Sequence, residues 1–521
     1  MRVTDRLSAT DAAFLYAEDA GSPMHVGGVV ILGPTRASEG ADGGAAPVGF
    51  RYEEIVSLIE SRLSLVPRYR QKVRFVPGRL ARPVWVDDED FDVTYHVRRS
   101  ALPKPGTDAE LDHLIGRLIS RPLDRSRPLW EVYVIEGLSG GRVALVNKTH
   151  HAMVDRIGAV DVAAAILDVS RQARVVPQQP WIPDPSPSDI DLVVDAVADL
   201  ATRPTDVLEV VRYSALDARA AAGRVVDTAG RVLSVLARTV APAPRSLLND
   251  ARSGQRRFVT VRADLADFKA VRRAHGGSVN DGILTVVAGA LRSWLLAHGE
   301  PVATHTVVRA MVPVSVSPLL GPASAGGGEG GGHGVQSVLL DLPVAEANPV
   351  MRLHQVSFAM ESQLETGSPM TADALVELGR FAPPTLHALG ARMAGQLSRR
   401  LYNLLITNVP GPQIPLYAAG YPVEAMYPVA PLGLGQAIAV SCTSYRGGVF
   451  FGVTADREAI PDIDDFSIHI TEAVEELRST VPPTVQHRAA PDARPEKRPT
   501  RSRSRAGTRP ATRRGSSGDA R

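Results

Sequence analysis

Two runs rich in apolar and β-branched residues, Trp130–Glu136 and Arg142–His150, flank the segment Gly137-Leu138-Ser139-Gly140-Gly141. Glycine punctuation between two such runs predicts an antiparallel hairpin. Directly afterwards Ile157, Val160, Ala164 and Leu167 recur at helical spacing, and Ala163 and Ile166 widen the apolar face. A hairpin feeding a helix commits this part of the chain to a layered α/β unit. It also sets the string His150-His151-Ala152-Met153-Val154-Asp155 where strand gives way to helix.

The same mixture returns later. Phe258–Val261 reads as a strand, Ala263–His275 and Ser278–His298 as helices, and Thr306–Ser315 as a strand. Further strands are expected at Ser337–Leu342, Leu404–Asn408, Ala437–Tyr445 and Val449–Ala455, with Gly447-Gly448 turning between the last two. A chain of 521 residues exceeds one ordinary core. The expected layout is a first α/β domain over 1–185, a helical linker over 186–250, a second α/β domain over 251–483 and a tail over 484–521. Mixed sheets with packed helices are the natural architecture. Small, flexible residues at 35–48 and 321–334 mark surface loops. Neither loop continues into the Gly-Lys-Ser/Thr that a phosphate loop requires.

The net charge of +2 is unevenly spread. Eleven Lys and Arg against three Asp and Glu make 484–521 carry +8, which leaves −6 for residues 1–483. With its Pro and Arg-Ser repeats the tail cannot bury enough surface to fold. It is expected to be a solvated end, with attraction to anionic lipid or nucleic acid as the alternatives. Specific nucleic-acid binding is not expected, because the tail lacks interleaved aromatics and the remainder is acidic. Cys442 is the single cysteine, so no intrachain disulfide forms. A cytoplasmic location is expected, with membrane contact peripheral because no stretch reaches the roughly 18 apolar residues of a spanning helix.

If Arg142–His151 stays extended to its end, the side chains of His150 and His151 point to opposite faces. A metal needs both imidazoles converging on one point, so a metal site is not expected here. One histidine is then free for proton transfer, which suits moving an acyl group between a thioester and an alcohol. The chain has no Gly-x-Ser-x-Gly elbow, and Cys442 lies in an expected strand, so no covalent intermediate is required. Asp155 sits where it could orient an imidazole or receive backbone N–H groups at a helix start, and the second role is preferred.

The string resembles the His-His-x-x-x-Asp-Gly motif of the bacterial wax ester synthase/acyl-CoA:diacylglycerol acyltransferase family. The resemblance extends to Leu7-Ser8-Ala9-Thr10-Asp11-Ala12-Ala13-Phe14-Leu15, Pro23-Met24-His25-Val26-Gly27-Gly28 and Arg121-Pro122-Leu123-Asp124-Arg125-Ser126-Arg127-Pro128-Leu129-Trp130-Glu131. Ser278-Val279-Asn280-Asp281, Pro313-Val314-Ser315 and Thr407-Asn408-Val409-Pro410-Gly411-Pro412 follow in the family's order, so the similarity spans roughly residues 4–475.

It implies two chloramphenicol-acetyltransferase-like domains with mixed sheets, flanking helices and an active-site channel between them. It further implies His151 as general base, with His150 and Asp155 holding the motif's shape. Asn280, Asp281 and Asn408 are implied as substrate or channel residues, with helix capping and turn formation as their structural alternatives. Acyl-CoA would be co-substrate, no cofactor would be needed, and diacylglycerol or a fatty alcohol would accept the acyl group at a membrane or lipid-droplet surface. Arg156 departs from the family pattern by standing where it has glycine. If that charge disables the turn, the chain is instead a non-catalytic lipid-binding homologue.

Overall fold

The computed structural model describes residues 5–18, 21–34, 49–154, 165–177, 180–201, 242–316, 334–365, 401–433 and 435–483. Asp155, Arg156, most of the helix expected after them, most of the two glycine-rich loops, much of the expected linker and the basic tail lie outside these residues.

The first half runs β1 (Asp5–Arg6), α1 (Ala9–Ala17), β2 (His25–Leu32), α2 (Tyr52–Arg62), β3 (Gln71–Arg74), β4 (Val84–Asp87), α3 (Val93–His96), β5 (Val97–Ala101), α4 (Asp108–Ser120), β6 (Trp130–Glu136), β7 (Val143–His150) and α5 (Asp189–Ala201). The second half runs β8 (Arg256–Asp264), α6 (Leu265–His275), α7 (Val279–Ala297), β9 (Val308–Val316), β10 (Gly334–Leu342), α8 (Pro349–Glu365), β11 (Leu404–Pro410), β12 (Tyr417–Ala418), β13 (Tyr421–Val429), β14 (Ile438–Tyr445), β15 (Gly448–Asp456) and α9 (Ile463–Ser479). Two six-stranded mixed sheets result, ordered β12-β13-β2-β7-β6-β5 and β10-β9-β11-β14-β15-β8.

The hairpin read from the sequence is present, with Trp130 opposite Thr149 and Ile135 opposite Ala144. Every residue of β7 is buried, because the sheet is covered on both faces. Its polar residues therefore need partners inside the protein. Lys148 Nζ lies 3.2 Å from Glu131 and donates to the carbonyls of Leu118 and Arg121, at 3.2 and 2.7 Å. That ammonium ties off the last turn of α4, where carbonyls lack helical partners. On the other side β2 lies so close that a Cβ on Gly27 would fall 2.0 Å from the Asn147 carbonyl oxygen. The Gly27-Gly28 pair thus permits the approach that brings His25 opposite His150.

Two local expectations are corrected. The strand ends at His150, and His151–Met153 form a 3-10 turn instead of continuing the extended run. Between β14 and β15 the turn residues are Arg446 and Gly447, at φ 44° and 81°, while Gly448 already pairs with Tyr445. A two-residue turn with both φ values positive matches the twist of the hairpin it closes.

The halves are interlocked. Strand β13, in a segment where the sequence analysis identified no strand, leaves the second half and pairs with β2 from Val429 opposite Gly27 to Val423 opposite Leu32. Its neighbourhood puts Leu416, Tyr421 and Val423 into the first core. Strand β8 in turn lies against α4, where the Asp112 carboxylate accepts from the Thr260 amide and hydroxyl at 3.0 and 3.1 Å.

Candidate active site

The motif histidines meet different partners. His150, 1% exposed, ends β7 with its amide donating to Leu129 O at 2.9 Å. Its Nδ1 accepts from the Ala152 amide at 3.0 Å. An accepting Nδ1 in a neutral ring assigns the proton to Nε2. That nitrogen lies 3.5 Å from Glu18 Oε2. His151 is half-buried, stacks on the Phe14 ring with centroids 3.9 Å apart, and donates its amide to Met24 O at 2.9 Å. The two side chains are thus differently engaged, although the extended geometry expected to separate them ends one residue earlier.

Beside His150 lies a cluster of four residues to which the sequence reading assigned no role, centred on Glu18. The Glu18 carboxylate accepts from Arg125 Nε and Nη2 at 3.2 and 2.5 Å and from the Met24 amide at 3.1 Å. His25 Nε2 lies 3.3 Å away. Burial alone would raise the Glu18 carboxyl, but the close His150 and His25 rings and the Arg125 guanidinium hold it well below the usual carboxylate range. Burial pushes His25 down, opposed by its contact with Glu18. His25 and Met24 sit in the Pro-Met-His block quoted for the resemblance, and Arg125 in the Pro-Leu-Trp block, so the signal was present without a stated role.

Asn280, Asp281 and Asn408 form a second group at the start of α7. Ser278 and Asp281 make a reciprocal capping box: the Asp281 amide donates to Ser278 Oγ at 3.1 Å, and Asp281 Oδ2 accepts from the Ser278 amide at 2.8 Å. Asp281 also accepts from Ser357 Oγ at 3.1 Å. Asn408, near the end of β11, donates its amide to Asn280 Oδ1 at 3.0 Å. Hence Asp281 is engaged as a helix cap, while the two asparagines join α7 to β11.

Other chemistries find less support. Cys442 is 1% exposed and burial pushes its thiol up, which disfavours a thiolate nucleophile. Among the described residues, no group of three or more His, Cys, Asp or Glu side chains is arranged to hold a metal ion. No described helix is long and apolar enough to cross a membrane. A cleft of about 200 Å³ at the seam between α4 and β8 is lined by Asp112, Arg117 and Arg257 among others, and neither motif histidine borders it.

Two α/β lobes with mixed sheets, exchanging a strand and carrying a histidine pair at the end of a buried central strand, define an acyltransferase fold of the chloramphenicol acetyltransferase type. Residues 7–283 match the wax ester synthase/diacylglycerol acyltransferase catalytic domain, and residues 332–478 match the C-terminal domain of the same family. The chain belongs to that family. Two relatives from Mycobacterium tuberculosis are named probable diacylglycerol O-acyltransferases. One, tgs3, is 45% identical over 269 residues, which is 51% of this chain and 95% of the relative. The other, tgs2, is 32% identical over 491 residues, covering 92% and 99% respectively. Among solved structures, the wax ester synthase/diacylglycerol acyltransferase from Marinobacter aquaeolei VT8 superposes with a TM-score of 0.62 at 27% identity, covering 91% of this chain and 99% of that one.

Proposed function

We propose that this protein transfers a long-chain acyl group from acyl-CoA to the free hydroxyl of diacylglycerol, forming triacylglycerol, with His151 as general base. The mycobacterial relatives' names support the acceptor. The observation that carries the base assignment is the division between adjacent imidazoles. His150 is buried, with an amide on Nδ1 and Nε2 toward Glu18, whereas His151 is half-exposed on Phe14 at the lip of the turn.

In this reading His151 accepts the acceptor's hydroxyl proton as the oxygen attacks the thioester carbonyl. The resulting imidazolium then protonates the departing CoA thiolate, so the base is regenerated and no acyl-enzyme forms. No cofactor enters this chemistry. His150 and Asp155 keep the motif's shape, while Asn280 and Asn408 brace the channel where α7 meets β11. We assign residues 1–185 and 251–483 to the two domains, 186–250 to the link between them, and 484–521 to a basic tail that favours a peripheral position at an anionic membrane or droplet surface.

Labelled acyl-CoA supplied with diacylglycerol, monoacylglycerol or fatty alcohol tests the proposal. Triacylglycerol should be the main product, and His151→Ala should lower kcat by about 10²-fold or more, the contribution typical of general-base catalysis. Wax ester as the main product would favour the fatty-alcohol reading, which the name of the Marinobacter structure also admits. Undetectable turnover that Arg156→Gly restores would instead identify a lipid-binding homologue.

A further inference from the structure

We propose that Glu18 is a positioning residue for acyl transfer: its buried carboxylate holds the turn that presents His151. The proposal rests on His151 being the base.

Two routes lead from the carboxylate to that turn. In the first, Glu18 Oε2 faces His150 Nε2, and His150 Nδ1 accepts from the Ala152 amide, so the imidazole bridges Glu18 to the residue after His151. In the second, Glu18 Oε1 accepts from the Met24 amide, and the Met24 carbonyl accepts from the His151 amide. Helix α1 adds a third element. Phe14, whose carbonyl accepts from the Glu18 amide at 3.1 Å where α1 ends, carries the His151 ring. One helix end thus supplies both the surface under His151 and the clamp on its neighbour.

The simpler account makes Glu18 a counter-ion for Arg125. Exposure argues against that as its whole role. The Arg125 side chain is 41% exposed and could be hydrated, whereas the Glu18 side chain is 8% exposed. Burying a carboxylate to serve a cation that reaches water would cost more than leaving both at the surface. What lies on the buried side of Glu18 is the pair His25 and His150, which face each other across β2 and β7. Arg125 offsets the charge from the rim, leaving the carboxylate to orient imidazoles within.

Glu18→Gln keeps the shape but replaces one acceptor oxygen with a donor. An amide N–H facing the His150 Nε2–H removes an attraction and sets donor against donor. The expected result is a kcat lowered about 10- to 100-fold, the scale at which small displacements of reacting groups are felt, with KM for acyl-CoA changed less than about threefold. The 15N signature of an Nε2-protonated His150 should be lost in the same variant. Arg125→Gln should cost less than Glu18→Gln, and the double variant should stay as slow as Glu18→Gln.

Wild-type kcat in Glu18→Gln, or its recovery on adding Arg125→Gln, would overturn the proposal, because either would reduce Glu18 to a counter-ion. If Glu18→Gln fails to fold, the double variant, which carries no unpaired guanidinium, is measured in its place against Arg125→Gln alone; equal kcat in those two overturns the proposal. His151→Ala serves as the control. Activity surviving there removes the base assignment itself, whereas an inactive His151→Ala beside a fully active Glu18→Gln removes only the role of Glu18.

Discussion

Glu18 and Asp112 are both buried carboxylates, and their surroundings push them in opposite directions. Glu18 is surrounded by donors and held ionised. Asp112 has the amide and hydroxyl of Thr260, but burial dominates and pushes its pKa up to about 7. A folded pKa above the ordinary 3.8 means that the native state holds the proton more tightly than the unfolded chain. Stability from this group is therefore complete below about pH 4 and is lost as pH rises through 7. Asp112→Asn keeps an acceptor for the Thr260 amide and supplies a donor for its hydroxyl. It should raise Tm by on the order of a few degrees at pH 8, by less at pH 5 and by least below pH 4, as calorimetry across that range would show. Neither carboxylate could be singled out from the sequence. Glu18, His25, Arg125 and His150 are scattered over more than a hundred positions, and only the β2–β7 register and the packing of α1 gather them. The histidine pair, by contrast, was legible because both members lie in one string at the end of a recognisable strand.

At the scale of elements, legibility followed local signal. β6, β14 and α7 were read nearly to their ends because apolar pattern and punctuation coincide there. β13 was missed: Tyr421–Val429 contains two prolines and a glutamate, and what makes it a strand is the waiting edge of β2. The early stop of β7 is likewise tertiary, fixed by the bond from the His151 amide to Met24. The close approach of β2 to β7 gives a further prediction. Gly27→Ala would press a methyl group against the fixed Asn147 carbonyl oxygen. It should destabilise the protein by about 1–3 kcal/mol or more, read as a lower urea midpoint, and should reduce activity through the displaced His25–His150 pair.

For the molecule as a whole, the two lobes were expected as consecutive stretches of chain, and the exchanged strand shows why a linear reading could not foresee their interlock. β13 fills one edge of the first sheet, while β8 and the Arg256 amide, which donates to Ser120 Oγ at 2.7 Å, press the second lobe onto α4. A fragment ending at residue 250 should therefore lack the cooperative unfolding transition of the full chain and aggregate through the bared edge of β2. Co-expression with residues 251–521 should restore a soluble complex; a monomeric, cooperatively melting fragment would show that the edge needs no partner.

The crossing strand also has a consequence for biosynthesis. The ribosome releases β2 early, yet β13, the neighbour that covers its free edge, starts at Tyr421, after most of the second lobe has been made. Until then the nascent chain carries an open β-edge beside its histidines. Completion of the sheet that carries the histidine turn thus becomes one of the last events of folding, coupled to near-completion of the polypeptide.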